Sequence, residues 1–157
     1  SASFVTILTP VLTIILVVIL MVLVNRTKTG MAMRAVSKDF ETAKLMGINI
    51  NRVISVTFAI GSFLAGVGSI LYFTDRMSVT PFSGTLPGLK CFVAAVFGGI
   101  GNIPGAVLGG FFIGIVETLL VALGYSTFSD AFTFLLLIVM LLVRPTGLFG
   151  EKTVEKV

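Results

Sequence analysis

Residues Phe4 to Val24, FVTILTPVLTIILVVILMVLV, run for 21 positions without a charged side chain. As a helix rising 1.5 Å per residue, such a run covers roughly the 30 Å of a bilayer's hydrocarbon core. Lipid offers no partner to a backbone N–H or C=O, so a run of this kind crosses only as a helix that satisfies its own backbone. Val53 to Phe73, VISVTFAIGSFLAGVGSILYF, is a second charge-free run of 21 residues. The whole chain is 56% hydrophobic and 11% charged, whereas a soluble domain carries about 25% charged residues. No water-soluble packing of 157 residues hides that much apolar surface. The chain is therefore an integral membrane protein.

Its expected class is all-α: a polytopic membrane helix bundle of about five spanning or partly broken helices, in a single domain over residues 1–157. The spans fall at about 4–24, 53–73, 89–100, 106–123 and 128–143. Pro10 is expected to kink the first span or to mark its first turn. Gly61, Ala65, Gly66 and Gly68 give the second a surface for close helix approach. Pro81, Gly84, Pro87 and Gly88 mark Thr74 to Lys90 as a loop. After it CFVAAVFGG is apolar but short, and GGIGNIPG, Gly98 to Gly105, is a cluster of helix breakers. The piece either spans or re-enters. If it spans, Arg26, Lys28, Arg34, Lys38, Lys44, Arg52, Arg144, Lys152 and Lys156 share one side and only Arg76 and Lys90 the other. The positive-inside rule favours that arrangement, with the N-terminus outside and the C-terminus cytosolic. The opening SASFVTIL has no basic residues before the apolar run, and no small-residue cleavage site follows it. It does not resemble a signal peptide, and the chain reads as the interior of a longer protein.

One polar stretch stands out between the first two spans: SKDFETAKLMGIN, Ser37 to Asn49. Ser37 is a good N-cap, Asp39 and Glu41 favour the first turns, Glu41 and Lys44 are spaced to pair, and Gly47 is placed for a C-cap. The result is a capped helix of roughly nine residues. It is too short to hold its shape alone, since helices under about 12 residues are marginal in water. It needs a surface, which is the bilayer, its own bundle, or a cytosolic partner.

Glu41-Thr42-Ala43-Lys44-Leu45-Met46-Gly47 resembles the E-A-A-x-x-x-G signature of bacterial ABC importer permeases, with Thr42 in place of the first alanine. NRTKTGMAMRAVSKDFETAKLMGIN, GLKCFVAAVFGGIGNIPGAVLGGFFIGIVE and RPTGLFGE resemble the LivH-type permease of branched-chain amino-acid ABC transporters, and its C-terminal half in particular. The resemblance implies a heteromeric importer in a bacterial or archaeal plasma membrane. Its partners would be cytosolic ABC ATPases, a second related permease or another copy of this one, and an extracytoplasmic substrate-binding protein. Cargo would be branched-chain amino acids. Phe40, Glu41, Ala43 and Gly47 would lie in the ATPase-coupling segment. ATP would be bound by the partners, and no cofactor by this chain, which has no G-x-x-x-x-G-K-[ST] loop.

Other residues invite local readings. Gly101, Asn102 and Pro104 either break a helix at membrane depth beside the transport pathway or serve packing. Gly105 and Gly109, and Gly110 and Gly114, are spaced for helix packing. Glu117 is the acid inside an apolar run, where a charge costs about 2.5–3.5 kcal/mol on insertion scales. It is therefore protonated, paired, near an interface or facing water, and it contacts either a substrate ammonium, a partner subunit or a neighbouring helix. Asp75 and Arg76 suggest an interfacial cap, Asp130 a cap on the last helix, and Cys91 a small apolar filler. With no histidine and one cysteine, metal sites are not expected. The clustering of basic residues in loops reports topology rather than nucleic-acid binding. An intramembrane enzyme would need a nucleophile with its base or a carboxylate pair in the spans. A channel or secondary transporter, or a purely structural membrane subunit, remains as the alternative.

Overall fold

The computed structural model describes residues 2–74 and 76–150. Asp75, Glu151, Lys152 and Lys156 lie outside the described residues. The chain is all-α there, with seven α-helices and one 3-10 turn among the described residues. It divides into two compact units, one running to Thr80 and one from Pro81.

The first unit holds α1 (Ala2–Arg26), α2 (Lys28–Lys38), α3 (Phe40–Leu45) and α4 (Ile50–Phe73). Helices α1 and α4 are long and apolar enough to cross a membrane. Pro10 lies within α1, which continues through it. Thr9 and Thr13 turn their hydroxyls back onto the carbonyls of Val5 and Thr9. Neighbouring hydroxyls of this kind are one way lipid-embedded helices accommodate a proline. The polar segment between the first two spans, where one short helix was expected within 37–49, holds two, α2 mostly before that stretch and α3 inside it. Thr27 caps α2 by accepting from the Gly30 amide at 3.1 Å. Gly30 sits against the Leu23 and Val24 carbonyls, where a Cβ would collide with backbone. That close approach folds the chain sharply from α1 into α2.

The second unit holds α5 (Thr85–Gly98), α6 (Ile103–Ala122), a 3-10 turn (Ser126–Phe128) and α7 (Ser129–Val143). Helix α6 and the segment Ser126–Val143 are each long and apolar enough to cross, while α5 is a shorter apolar helix. The expected loop ends earlier than Lys90, because α5 begins at Thr85 and contains Pro87 and Gly88. Proline is tolerated there because first-turn N–H groups have no intrahelical acceptor to lose. The core is formed by Val93, Phe97, Ile113 and Met140. Phe97 and Phe112 stack with centroids 5.2 Å apart, tying α5 to α6.

Candidate functional site

Ser37 is not the cap of the charged helix. It lies in the last turn of α2 and donates its hydroxyl to the Arg34 carbonyl at 2.8 Å. Asp39 takes the capping role instead, because its extended backbone ends α2 and starts α3. Its Oδ1 accepts from the Glu41 and Thr42 amides at 3.0 and 3.3 Å, and its Oδ2 from the Thr42 hydroxyl at 2.5 Å. Those Thr42 bonds, hydroxyl first and then amide, followed by the Glu41 amide, hold the Asp39 carboxyl below its ordinary range.

At the other end, Gly47 adopts φ of 82°. Its amide donates to the Lys44 carbonyl at 3.1 Å, and the Ile48 amide to the Ala43 carbonyl at 3.1 Å. This pair of bonds is a Schellman stop, which terminates α3 after six residues. The expected Glu41–Lys44 pair is not formed. Among the described residues the ion pairs are those of Lys90.

The four sequence-derived coupling positions divide by environment. Ala43 is 3% exposed and packs with Val36 and Val53, seating α3 on α2 and α4. Phe40 and Glu41 are exposed, and Gly47 has open space around it. Sequence reasoning passed over Leu45 and Met46, which are 86% and 78% exposed. The signal was present: both are large apolar residues beside a stop glycine, on a helix whose only inward position is a small alanine. The result is a rigidly capped knuckle between two membrane-length helices, with an apolar and charged outer surface.

The glycine-rich break between α5 and α6 is a second structured feature. Gly105 and Gly109 pack against the backbone of Gly98 and Ala94, closer than any Cβ permits. Gly110 lies beside Ala94, and Gly114 faces open space. Asn102 caps α6 by accepting from the Gly105 amide, and Pro104 occupies its first turn. Gly101 has φ of 93° and no neighbour within 4 Å of an added Cβ. The segment after α7 folds back onto this break. Leu148 and Phe149 donate to the Phe97 and Gly98 carbonyls at 3.0 and 3.2 Å. The Asn102 amide donates to the Phe149 carbonyl at 3.1 Å.

Glu117 is ion-paired with Lys90 at 2.5 Å, and Lys90 also lies 2.7 Å from Asp130. Asp130 makes no cap bond on α7 and meets Lys90 instead. Cys91 is a free thiol on the exposed face of α5. The Arg76 guanidinium stands 4.6 Å over the Tyr72 ring. No group of three or more histidine, cysteine, aspartate or glutamate side chains is placed to hold a metal among the described residues.

Comparison with known proteins bears on these features. The family described as "Branched-chain amino acid transport system / permease component" matches residues 1–143. The permease protein LivH of the high-affinity branched-chain amino acid transport system of Escherichia coli is 43% identical over 136 residues, covering 87% of this chain and 44% of LivH. The corresponding BraD protein of Pseudomonas aeruginosa is 41% identical over 155 residues, covering 99% of this chain and 50% of BraD. A probable LivH of the archaeon Methanocaldococcus jannaschii is 31% identical over 136 residues, covering 82% of this chain and 42% of that protein. The chain thus spans about half the length of the curated relatives it matches. No solved structure matches it. A family match across residues 1–143, with identity above 40% to two curated permeases, establishes that the chain belongs to the permease component family of branched-chain amino acid transport systems.

Proposed function

We propose that this chain forms part of the translocation pathway of an ABC importer for branched-chain amino acids, in a bacterial or archaeal plasma membrane. Cytosolic ATPases bind ATP and dock on the 37–49 segment. A second related permease, or another copy of this one, completes the pathway, and an extracytoplasmic binding protein delivers substrate. The observation that carries this reading is the knuckle at α3. Ala43 seats it on α2 and on the membrane-length α4, while Phe40, Leu45 and Met46 stand exposed. A pull on that surface is transmitted to α4 directly and to α1 through α2, whose Gly30 packs on the Leu23 and Val24 carbonyls, without first melting a loop, since both ends of α3 are capped.

The orientation is supported by two features. Arg26, Lys28, Arg34, Lys38, Lys44 and Arg52 gather where α1 ends and α4 begins, as cytosolic loops do. Helix α6 runs back along α5, with Glu117 beside Lys90 and Gly105 beside Gly98. The segment after α7 meets the end of α5. These directions favour five passes over a re-entrant α5, with Glu117, Gly101, Asn102 and Pro104 as pathway candidates.

The test is co-purification of ATPase subunits with the full-length permease carrying Leu45→Asp or Met46→Asp, which leaves the Ala43 seat and both caps intact. Loss of the ATPases from an otherwise folded complex is the expected result, and full retention overturns the docking role. Cysteine labelling at Lys38 and Lys44 is expected only from the cytosolic side. ATP-driven uptake in vesicles with the ATPases, and none without them, separates the importer from a channel or secondary transporter.

A further inference from the structure

Helices α5, α6 and α7 are fastened together at both ends. At one end Lys90 of α5 reaches Glu117 of α6 and Asp130 of α7. At the other, the Phe97 and Gly98 carbonyls of α5 accept from Leu148 and Phe149, which follow α7. Asn102, the cap of α6, joins the same fastening through the Phe149 carbonyl. Between the two ends α5 and α6 touch backbone to backbone at Gly98 with Gly105 and at Ala94 with Gly109. Val93, at 1% exposure, fills the centre with Phe97, Ile113 and Met140.

Separating these helices would break an ion pair at one end or backbone hydrogen bonds at the other. Both fastenings lie at helix ends and are part-exposed, so the larger cost of separation comes from the seam between them, where backbone-close glycine contacts and the buried Val93 would lose their packing. Close-packed contacts of this kind switch between discrete arrangements rather than stretching. The glycine-rich break has the composition of a hinge, yet the chain's own C-terminal segment is bonded across it.

We propose that α5, α6 and α7 form a clamped block that keeps its internal geometry throughout the transport cycle. The break at Gly99–Asn102 is then a fixed corner, and changes in pathway access arise outside this block. The proposal rests on the importer reading given above.

A Cβ built on Gly110 lies 3.8 Å from the Cβ of Ala94, a separation suited to a disulfide. Ala94→Cys with Gly110→Cys, in a Cys91→Ser background, therefore staples α5 to α6 in the observed geometry. The full-length permease and its partner subunits are reconstituted, and ATP-driven uptake is compared with the pair oxidised and reduced. Oxidised and reduced rates agreeing within about twofold are expected for a block that never opens. A larger fall on oxidation, restored by reductant, overturns the proposal. The Cys91→Ser parent is measured alongside: absence of ATP-driven uptake there tells against the importer reading instead. If the paired variant does not fold or does not oxidise, hydrogen exchange of amides 90–117 in the unmodified complex decides. Equal protection with and without ATP supports the block, and ATP-dependent loss of protection refutes it.

Discussion

The side-chain amide of Asn102 donates to the Phe149 carbonyl at 3.1 Å, while its oxygen accepts from the Gly105 amide at 3.1 Å. One side chain thus caps α6 and holds the segment that follows α7. An N-cap of this kind contributes about 0.5–2 kcal/mol and a further hydrogen bond about 0.5–1.5 kcal/mol. Asn102→Ala is expected to lose both and to lower the thermal midpoint of the detergent-purified permease. Asn102→Ser keeps a capping oxygen, is too short to donate to Phe149, and is expected to fall between the unmodified permease and Asn102→Ala. Equal midpoints for Asn102→Ser and Asn102→Ala would show that the cap contributes nothing.

Glycines of the same helix are expected to behave oppositely. A Cβ at Gly109 lies 2.6 Å from the Ala94 carbonyl oxygen, whereas one at Gly114 meets nothing within 4 Å. Gly109→Ala should force α5 and α6 apart, with overpacking costing about 1–3 kcal/mol. Gly114→Ala should be neutral or stabilising by up to about 1 kcal/mol, the helix-propensity gain of alanine. Thermal unfolding of the two variants side by side is the check, and a reversed order would contradict the observed α5–α6 contact.

Lys90 stands against two carboxylates, so removing it strands both. Breaking a buried pair costs about 3–5 kcal/mol. The three side chains here are 23%, 29% and 43% exposed, so a smaller loss, on the order of 1–3 kcal/mol, is expected for Lys90→Met. Adding Glu117→Gln and Asp130→Asn should recover most of it, because no uncompensated charge remains. A triple variant no more stable than Lys90→Met would show that the charges do not carry the effect.

The two ends of α3 can be weakened separately. Asp39 titrates below its ordinary value of 3.8 because Thr42 and Glu41 bond its charged form. A depressed carboxyl contributes stability that is fully present above the unfolded value and is lost as pH falls through the folded one. Protease protection of residues 37–49 should therefore be flat near neutrality and decline only below about pH 4. Asp39→Asn should flatten that decline. Gly47→Ala places a Cβ at φ of 82°, costing about 1–2 kcal/mol at any pH. Gly47→Asn is expected to be milder, since asparagine tolerates this conformation.

The all-α class and the first two spans were legible because lipid leaves a charge-free run of 21 residues a single way to cross. Gly47 as a stop was equally legible, since a left-handed turn after a short helix suits glycine. Asp39 was not separable from Ser37 as the cap. Both have suitable side chains, and the choice depended on where the packing of Val36 and Ala43 ended α2. Helix α2 was missed because its inward face of Gly30, Ala32, Met33 and Val36 is built largely of small residues and is interrupted by Lys28, Arg34 and Lys38, so the segment read as a polar connection. The early start of α5 was hidden by Pro87 and Gly88, which signal a loop unless they fall in a first turn.

Sequence by itself determined the solvent this protein lives in, its all-α class and the existence of a short capped segment between the first two spans. These follow from local chemistry: hydropathy, backbone satisfaction and glycine conformation act within a few residues of one another. Only the tertiary structure decided that Lys90 joins Glu117 to Asp130, that Asn102 holds Phe149, and that Ala43 faces inward while Leu45 and Met46 do not. Those pairings depend on which helix faces approach. In lipid that is set by the fit of small residues such as Gly98, Gly105 and Gly109 against backbone, a property of surfaces brought together from distant parts of the chain.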